Sequence, residues 1–265
     1  MRSRRWGRRL QLPKAATMTA GEAASDGVYR CWYTLRSCDV DFRQALRPSR
    51  LAEMVQEVAI AHTEQLGCGR ERTLDQGVLW VVASRQMRVL RWPRYGERIV
   101  VESWPGATRH VLFPRFERVL DERGGVLAQA ASLWMLVDAR TRRMVFPAAC
   151  GVSIDGVSRQ GIKEEPQIKP IAARPTWHEQ QVVASYGPCD MNGHVNNARY
   201  VDVVEDALTG PAAGREIADL ACEYKMEVPL GGTFTLAWAE DALGAFAEGG
   251  VGGKTAFRMA LRYRA

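Results

Sequence analysis

The chain has 265 residues, of which 46% are hydrophobic and 25% are charged. This apolar fraction excludes a disordered chain, and no apolar run approaches the ~18 residues of a membrane span. The six cysteines form no CxxC pair, so we expect reduced thiols in a reducing compartment. The four histidines are scattered, which argues against a histidine-rich metal site.

The net charge of +6 is unevenly distributed along the chain. Residues 1–20 carry six basic groups and no acid, while residues 70–150 hold 14 basic and 8 acidic residues. This asymmetry favours a local surface for an acidic partner over a nucleic-acid-binding face, with scattered solvated arginines as the alternative. Residues 1–27 lack the apolar stretch of a secretory signal, and we predict a disordered basic tail there.

The first half of the chain predicts one strand, one helix and then several strands. Residues 28–36 are rich in β-branched and aromatic side chains, as in a strand. A helix of about 19 residues is predicted from Pro48, with apolar residues at 3/4 spacing and Gly67 at its end. The strand-like runs that follow are Val78–Ala83, Met87–Leu90, Ile99–Trp104, Val111–Leu120 and Val126–Val137. This order predicts an α+β fold whose antiparallel sheet curls around the helix.

The same order begins again after residues 151–175, a proline-containing stretch that we interpret as a linker. A strand at Gln181–Tyr186 precedes a helix from about Asn196 to Leu208. The later strands are predicted at Leu220–Val228, Thr233–Glu240, Gly244–Glu248 and Thr255–Tyr263.

Three sequence matches in the same order indicate two duplicated halves. The matched pairs are Cys38–Asp41 with Cys189–Asn192, Arg50–Glu53 with Arg199–Asp202, and Trp92-Pro93 with Val228-Pro229. In this alignment Ala45 falls near the position of His194, so the second half alone carries an imidazole there.

The stretch CDMNGHVNNARY, residues 189–200, holds Asp190, Asn192 and His194 at alternate positions. On an extended segment this alternation would point all three side chains to one side. A carboxylate, an amide and an imidazole together can polarise a carbonyl and transfer a proton. The alternative is a polar Asn-Gly turn that leads into a helix N-cap.

This stretch resembles the signature of the acyl-acyl carrier protein (acyl-ACP) thioesterases of plants and bacteria. Further resemblances to that family are VLWVV at 78–82, RWPRYGE at 91–97, SLW at 132–134, TRR at 141–143 and CEYKME at 222–227. The resemblance implies a double hotdog fold, in which a continuous sheet wraps two long helices. Residues 28–150 would form the N-terminal hotdog and residues 176–265 the C-terminal one.

The resemblance also nominates Asp190, Asn192, His194 and Glu227 as catalytic residues. Plant members often have cysteine directly after the glutamate, but this chain has Val228, which excludes a nucleophilic thiol at that position. We therefore expect a water molecule to be activated by a general base, with proton transfer shared between Glu227 and His194. Asn192 would position water or stabilise the oxyanion, and Asp190 would orient Asn192 and His194; direct attack by Glu227 is the alternative.

Substrate recognition would be divided over the N-terminal hotdog, where the family houses the acyl chain. The candidate chain-binding residues are Leu51, Met54, Val55, Val58, Trp80 and Val82, with plain core packing as the alternative for each. His62, on the same helix face, is expected to be a core histidine. The candidate contacts for an acidic acyl carrier protein are Arg85, Arg88, Arg91, Arg94 and Arg98, with Arg140, Arg142 and Arg143 as a second cluster.

The expected function is release of free fatty acid from acyl-ACP, which would end chain elongation in fatty acid synthesis. The alternatives are an acyl-CoA thioesterase and a non-catalytic acyl-binding hotdog protein. We expect a cytoplasmic monomer or homodimer, with no metal, cofactor, nucleic acid or membrane partner.

Overall fold

Two successive groups of helices and antiparallel strands make up the part of the chain that the computed structural model describes, residues 19–23, 26–154, 168–211 and 213–264. The first group comprises β1 (Thr19–Ala23), β2 (Tyr29–Thr34), α1 (Pro48–Gln65), α2 (Arg70–Asp75), β3 (Val78–Val89), β4 (Arg98–Pro105), β5 (Phe113–Asp121), β6 (Val126–Asp138), β7 (Met144–Val145) and α3 (Pro147–Cys150). The second comprises β8 (His178–Val183), α4 (Arg199–Ala207), β9 (Ile217–Tyr224), β10 (Thr233–Glu240), β11 (Gly244–Val251) and β12 (Lys254–Tyr263). Over these ranges no helix is both long and apolar enough to cross a bilayer.

The strands of both groups join in a single sheet. Across the described residues, the order is β1-β2-β4-β5-β6-β3-β9-β12-β11-β10-β8, with β7 paired to β6. The two halves meet where β3 pairs with β9, in a register that runs from Ser84 opposite Glu223 to Arg88 opposite Asp219. The α+β double hotdog architecture expected from the sequence is confirmed.

The helix α1 forms where the apolar spacing predicts it. Pro48 occupies the first turn, where its missing N–H costs nothing, and the residues of the apolar face are buried. Gly67 ends the helix with φ 71°, and its N–H donates to the carbonyl of Glu64 at 3.0 Å. This left-handed residue just past the helix is the usual role of glycine at a C-terminus.

One hydrophobic core serves both halves. The main buried cluster contains residues of α1 and β2 together with residues of α4, β9 and β12. A charged network also joins the two helices, because Glu53 of α1 pairs with Arg50 at 2.6 Å and with Arg199 of α4 at 2.7 Å. The halves are therefore packed as one unit around the β3–β9 joint.

Two segments differ from the sequence predictions at the ends of the halves. Thr19–Ala23, inside the tail predicted to be disordered, pairs with β2 as an additional strand, whereas residues 1–18 and 24–25 lie outside the described part. Residues 155–167 of the predicted linker also lie outside it. The flanks of the linker pack against the sheet, since Val152, Ile154 and Ile171 are buried.

The predicted duplication is present, but the hydrogen bonds correct its register. The bridge Val40–Leu46 in the first half corresponds to Cys189–Val195 in the second. Val40 therefore matches Cys189, two residues away from the predicted alignment of this loop. Leu46 N–H donates to Pro93 O and Val195 N–H to Val228 O, both at 2.9 Å, so Pro93 matches Val228 and not Pro229.

The runs predicted as two strands around Arg85 form the single strand β3, with a register irregularity between Val82 and Ser84. The prediction that Arg85 contacts a carrier protein is wrong, because this side chain is only 2% exposed. Its guanidinium donates to Ala52 O at 3.1 Å and to Gln56 Oε1 at 3.3 Å. Its charge also favours the ionised form of Glu117, whose pKa burial raises to about 7.

We predict that Arg85→Met lowers the free energy of unfolding by about 2–4 kcal/mol, because it removes one of the two cations near the buried Glu117 and leaves the acceptors on α1 without their donor. Urea unfolding followed by circular dichroism measures this. Arg88→Met, three residues further along the same strand but exposed, is the matched control and should cost less than about 1 kcal/mol. Equal stability of the two variants would contradict this account of the buried arginine.

Candidate active site

The loop that contains the signature sequence pairs with the segment that follows β9. His194 forms an antiparallel bridge with Pro229. Val195 N–H donates to Val228 O, and Leu230 N–H donates to Gly193 O, each at 2.9 Å. These backbone bonds bring Glu227, which is distant in sequence, next to the imidazole of His194.

The polar side chains of this loop are brought together by a tight turn and not by an extended segment. Gly193 has φ 78°, and its N–H donates to Asp190 O at 3.0 Å. Asp190 N–H in turn donates to His194 O at 3.0 Å. Asp190, Asn192 and His194 do come together, but the expected period-two alternation of an extended segment is wrong as the reason. The positive φ requires the Asn-Gly turn that was the alternative interpretation.

His194 lies between two carboxylates. Its Nε2 is 3.6 Å from Glu227 Oε1, and its Nδ1 is 3.8 Å from Asp190 Oδ1. Nδ1 is also 3.3 Å from the carbonyl oxygen of Val195, an acceptor that favours a proton on this nitrogen. The imidazole is 18% exposed and the Glu227 side chain 40%, so the carboxylate is open to solvent at the rim of the site.

The other two members of the predicted set have distinct contacts. Asp190 Oδ1 accepts from the backbone N–H of Asn192 at 2.8 Å, and Asp190 Oδ2 from the Asn196 amide at 3.4 Å. Asn192 Oδ1 accepts from Arg70 Nη1 at 3.2 Å. Asp190 thus holds the loop together, while the Asn192 side chain is held from the other half of the molecule.

The equivalent position in the first half has neither the imidazole nor the glutamate. With the corrected register, Ala45 corresponds to His194 and Trp92 to Glu227. Trp92 is 4% exposed, and its indole N–H donates to Ile217 O at 2.8 Å. The indole fills this region, and the space beside it measures only about 10 Å³. The duplication has therefore kept the imidazole and the glutamate at one of its two equivalent positions.

A cavity of about 830 Å³ opens beside the four residues. Its walls come from both halves: Trp80, Val82 and Phe113 from the first, and Asp190, Asn192, His194 and Glu227 from the second. Trp80 and Phe113 meet edge to face with ring centroids 4.7 Å apart. The size and the mostly apolar lining are typical of a site for a small organic ligand.

The structure divides the predicted chain-binding residues into two groups. Trp80 and Val82 line the cavity, as expected. By contrast, the helix residues Leu51, Met54, Val55 and Val58 belong to the main core and do not border it. The apolar face of α1 packs into the core, and the neighbouring face of the helix borders the cavity.

Sequence reasoning missed several cavity residues, which are Ile60, Phe113, Trp134 and Met135. Phe113 and Trp134 lie directly opposite each other on β5 and β6. Each belongs to a predicted strand, but no sequence pattern indicates that these two strands border an open space.

A buried arginine lies in the cavity wall. Arg115 is 4% exposed and donates to His62 Nδ1 at 3.0 Å, to Ser103 Oγ at 3.2 Å and to Thr63 Oγ1 at 2.8 Å. Burial and the charge of Arg115 lower the pKa of His62 to about 4, so the imidazole is a neutral acceptor at pH 7. His62 is thus the core histidine that the sequence predicts.

Three of the remaining arginines proposed as carrier contacts are exposed, and each pairs with a carboxylate of this chain. Arg88 contacts Asp219 at 3.0 Å, Arg91 contacts Glu97 at 2.8 Å and Arg94 contacts Glu216 at 3.4 Å. Glu216 borders the small space beside Trp92 and not the large cavity. A role for these three side chains in carrier binding stays a prediction.

The fold and the position of the site define a double hotdog protein with a large, mostly apolar cavity at the junction of its halves. Models of the acyl-ACP thioesterase N-terminal and C-terminal domains match residues 26–146 and 176–248. The chain belongs to the acyl-ACP thioesterase family.

Two relatives are similar to this chain over most of its length. A chloroplastic dodecanoyl-[acyl-carrier-protein] hydrolase of Cinnamomum camphora is 27% identical, over 77% of this chain and 57% of the relative. A chloroplastic palmitoyl-acyl carrier protein thioesterase of Gossypium hirsutum is 25% identical, over 78% and 54%. This chain thus spans little more than half the length of these relatives.

Two solved structures share the fold. An acyl-ACP thioesterase from Bacteroides thetaiotaomicron superposes with a TM-score of 0.77 at 21% identity, covering 90% of this chain and 98% of that one. A 12:0-ACP thioesterase from Umbellularia californica gives 0.74 at 22% identity, covering 89% and 97%.

A thiol nucleophile finds no support at the site. Val228 stands after Glu227, and burial together with the adjacent Asp190 charge raises the pKa of the Cys189 thiol.

We predict that Cys189→Ala changes kcat/KM for thioester hydrolysis by less than about 3-fold, whereas loss of a nucleophile would abolish turnover. Thiol release in a continuous assay measures this, and an inactive but folded variant would contradict the prediction.

Proposed function

We propose that this protein hydrolyses acyl-ACP thioesters and releases free fatty acid, which would end chain elongation in fatty acid synthesis. The observation that carries the proposal is the 3.6 Å approach of His194 Nε2 to Glu227 Oε1 at the wall of a mostly apolar cavity. A non-catalytic acyl-binding protein would need the cavity but would not need this acid–base pair. Membership of the acyl-ACP thioesterase family supports the same reaction.

In the proposed mechanism, water is the nucleophile. The gap between Glu227 and His194 is too long for a direct hydrogen bond, but a water molecule can bond to both side chains there. The pair removes a proton as this water attacks the thioester carbonyl, and His194 then protonates the departing thiolate. The products are a carboxylic acid and the free thiol of the carrier, so that no covalent intermediate forms on the protein.

The other two residues support this step. The amide of Asn192 can donate to the oxyanion that develops on the carbonyl oxygen. Asp190 keeps the loop in its turn through the bond to Asn192 N–H and lies beside the Nδ1 edge of the imidazole. The acyl chain extends into the first-half part of the cavity, along Trp80 and Val82.

We predict that Glu227→Gln and His194→Ala each reduce kcat by about 10²–10⁴-fold, because each removes a partner in the proton transfer. Hydrolysis of purified acyl-ACP is measured by release of the carrier thiol. Glu71→Gln and His178→Ala, which change the same residue types at exposed positions, are the controls and should keep wild-type rates. Wild-type turnover by either site variant would rule out the mechanism.

The carrier protein is expected to dock at the cavity mouth. Arg70, Arg142 and Lys225 border the cavity, and acyl carrier protein is a small acidic protein. Complementary charge attracts such a partner at low salt and is screened as the ionic strength rises.

We predict that KM for acyl-ACP rises at least about 3-fold between roughly 50 and 300 mM NaCl. KM for the matched acyl-pantetheine, which carries no charge, serves as the control and should change by less than about 2-fold. Steady-state kinetics on both substrates make the comparison. Equal salt dependence for the two would exclude electrostatic docking of the carrier, and faster hydrolysis of the matched acyl-CoA than of acyl-ACP would favour the acyl-CoA alternative.

A further inference from the structure

Two arginines of the first half reach catalytic candidates of the second half. Arg70 lies at the start of α2, and its Nη1 is 3.2 Å from Asn192 Oδ1. Arg142 lies in the turn between β6 and β7, and its Nε is 3.7 Å from Glu227 Oε2. Neither contact is local in sequence, and both depend on the joint between the halves.

Arg142 and His194 face different oxygens of the Glu227 carboxylate. Oε2 faces the guanidinium, whereas Oε1 faces His194 at 3.6 Å. The guanidinium attracts one oxygen electrostatically and so limits rotation of the carboxylate. The second oxygen is thereby held toward the imidazole and toward the place proposed for water.

The turn that carries Arg142 is tightly held. Asp138 Oδ1 accepts from the backbone N–H and the hydroxyl of Thr141, at 2.6 and 2.8 Å. Arg142 itself has φ 58°, a conformation that is uncommon for a residue with a side chain, and its N–H donates to Asp138 O at 2.9 Å. Non-glycine residues in this region of φ occur frequently at functional sites, where the surrounding structure enforces them.

The contact of Arg70 decides which way the Asn192 amide points. A guanidinium has only donors, so the oxygen of the amide must face Arg70 and the NH₂ group must face away from it. Arg70 is itself anchored, because its backbone N–H donates to Glu64 Oε1 at 2.8 Å. An NH₂ group turned away from Arg70 is a donor available for a carbonyl oxygen in the cavity.

We propose that Arg70 and Arg142 are positioning residues that the first half supplies to the active site in the second half. Arg142 aligns the Glu227 carboxylate, and Arg70 fixes Asn192 as an amide donor. This inference rests on the proposed thioesterase function and extends it, because it makes the catalytic geometry depend on both halves.

The first test uses a neutral medium-chain acyl-pantetheine, so that neither a carrier protein nor a phosphate can contact the arginines. Arg142→Met is expected to lower kcat by about 10–100-fold and to leave KM within about 2-fold, since the acyl chain still binds. Arg142→Lys, or added guanidinium ion with Arg142→Met, should restore part of the rate. Arg143→Met, an equal charge change on the same exposed turn, should have wild-type kinetics.

The second test examines Arg70 by a double-mutant cycle with Asn192. Arg70→Met alone should lower kcat about 10-fold, but it should cause no further loss in the Asn192→Ala background, because the amide that it orients is gone. Arg72→Met, on the same short helix, is the matched control. Thermal unfolding of all variants checks that they are folded, and exposed arginines are expected to contribute little to stability.

Several outcomes would overturn the proposal. One is wild-type kcat in Arg142→Met and Arg70→Met; another is a defect that appears only as a raised KM for acyl-ACP, which would limit these arginines to docking of the carrier. Additive effects in the double-mutant cycle would refute the role of Arg70. If the wild-type protein released no more thiol than His194→Ala, the proposed function itself would fail together with this inference, a result distinct from an active wild type with unaffected arginine variants.

Discussion

The pairing of β3 with β9 is the constraint on which the rest of this molecule depends. It joins two half-sheets in one fixed register, with Ser84 opposite Glu223 and Arg88 opposite Asp219. Because the strands of a sheet cannot slip by one residue without turning every side chain to the other face, this register fixes how the halves face each other. The cavity is bordered by β3 on one side and by the segment after β9 on the other, so the joint also creates the site.

The duplicated halves have diverged at equivalent positions. Hydrogen bonds place Ala45 and Trp92 where the second half has His194 and Glu227. The indole of Trp92 is buried and bonded to the backbone, a structural use of the same position that holds the carboxylate in the second half. The first half has in turn become the wall of the cavity, where Trp80, Phe113 and Trp134 provide the apolar surface. Such a division requires both halves to remain packed together.

Several charged residues are buried in the interior of the first half. Arg85, Arg115 and Glu117 are all buried there, and burial raises the pKa of Glu117 to about 7. The neutral His62, with its pKa lowered to about 4, accepts a hydrogen bond from Arg115 without adding a second charge. Arg85 donates to Ala52 O and Arg115 to Thr63 Oγ1, so these two arginines tie the helix α1 to the sheet.

The sequence by itself determined the α+β class, the positions of α1 and most strands, and the family to which the chain belongs, because these follow from local periodicity and from a short, specific signature. It also indicated the four residues that meet at the cavity. Only the tertiary structure decided the register of the duplication, the burial of Arg85 and the face of α1 that borders the cavity. It also revealed the contacts of Arg70 and Arg142. These features depend on which strands pair across the joint and on where space is left between packed layers, and neither is encoded in the spacing of residues along one segment.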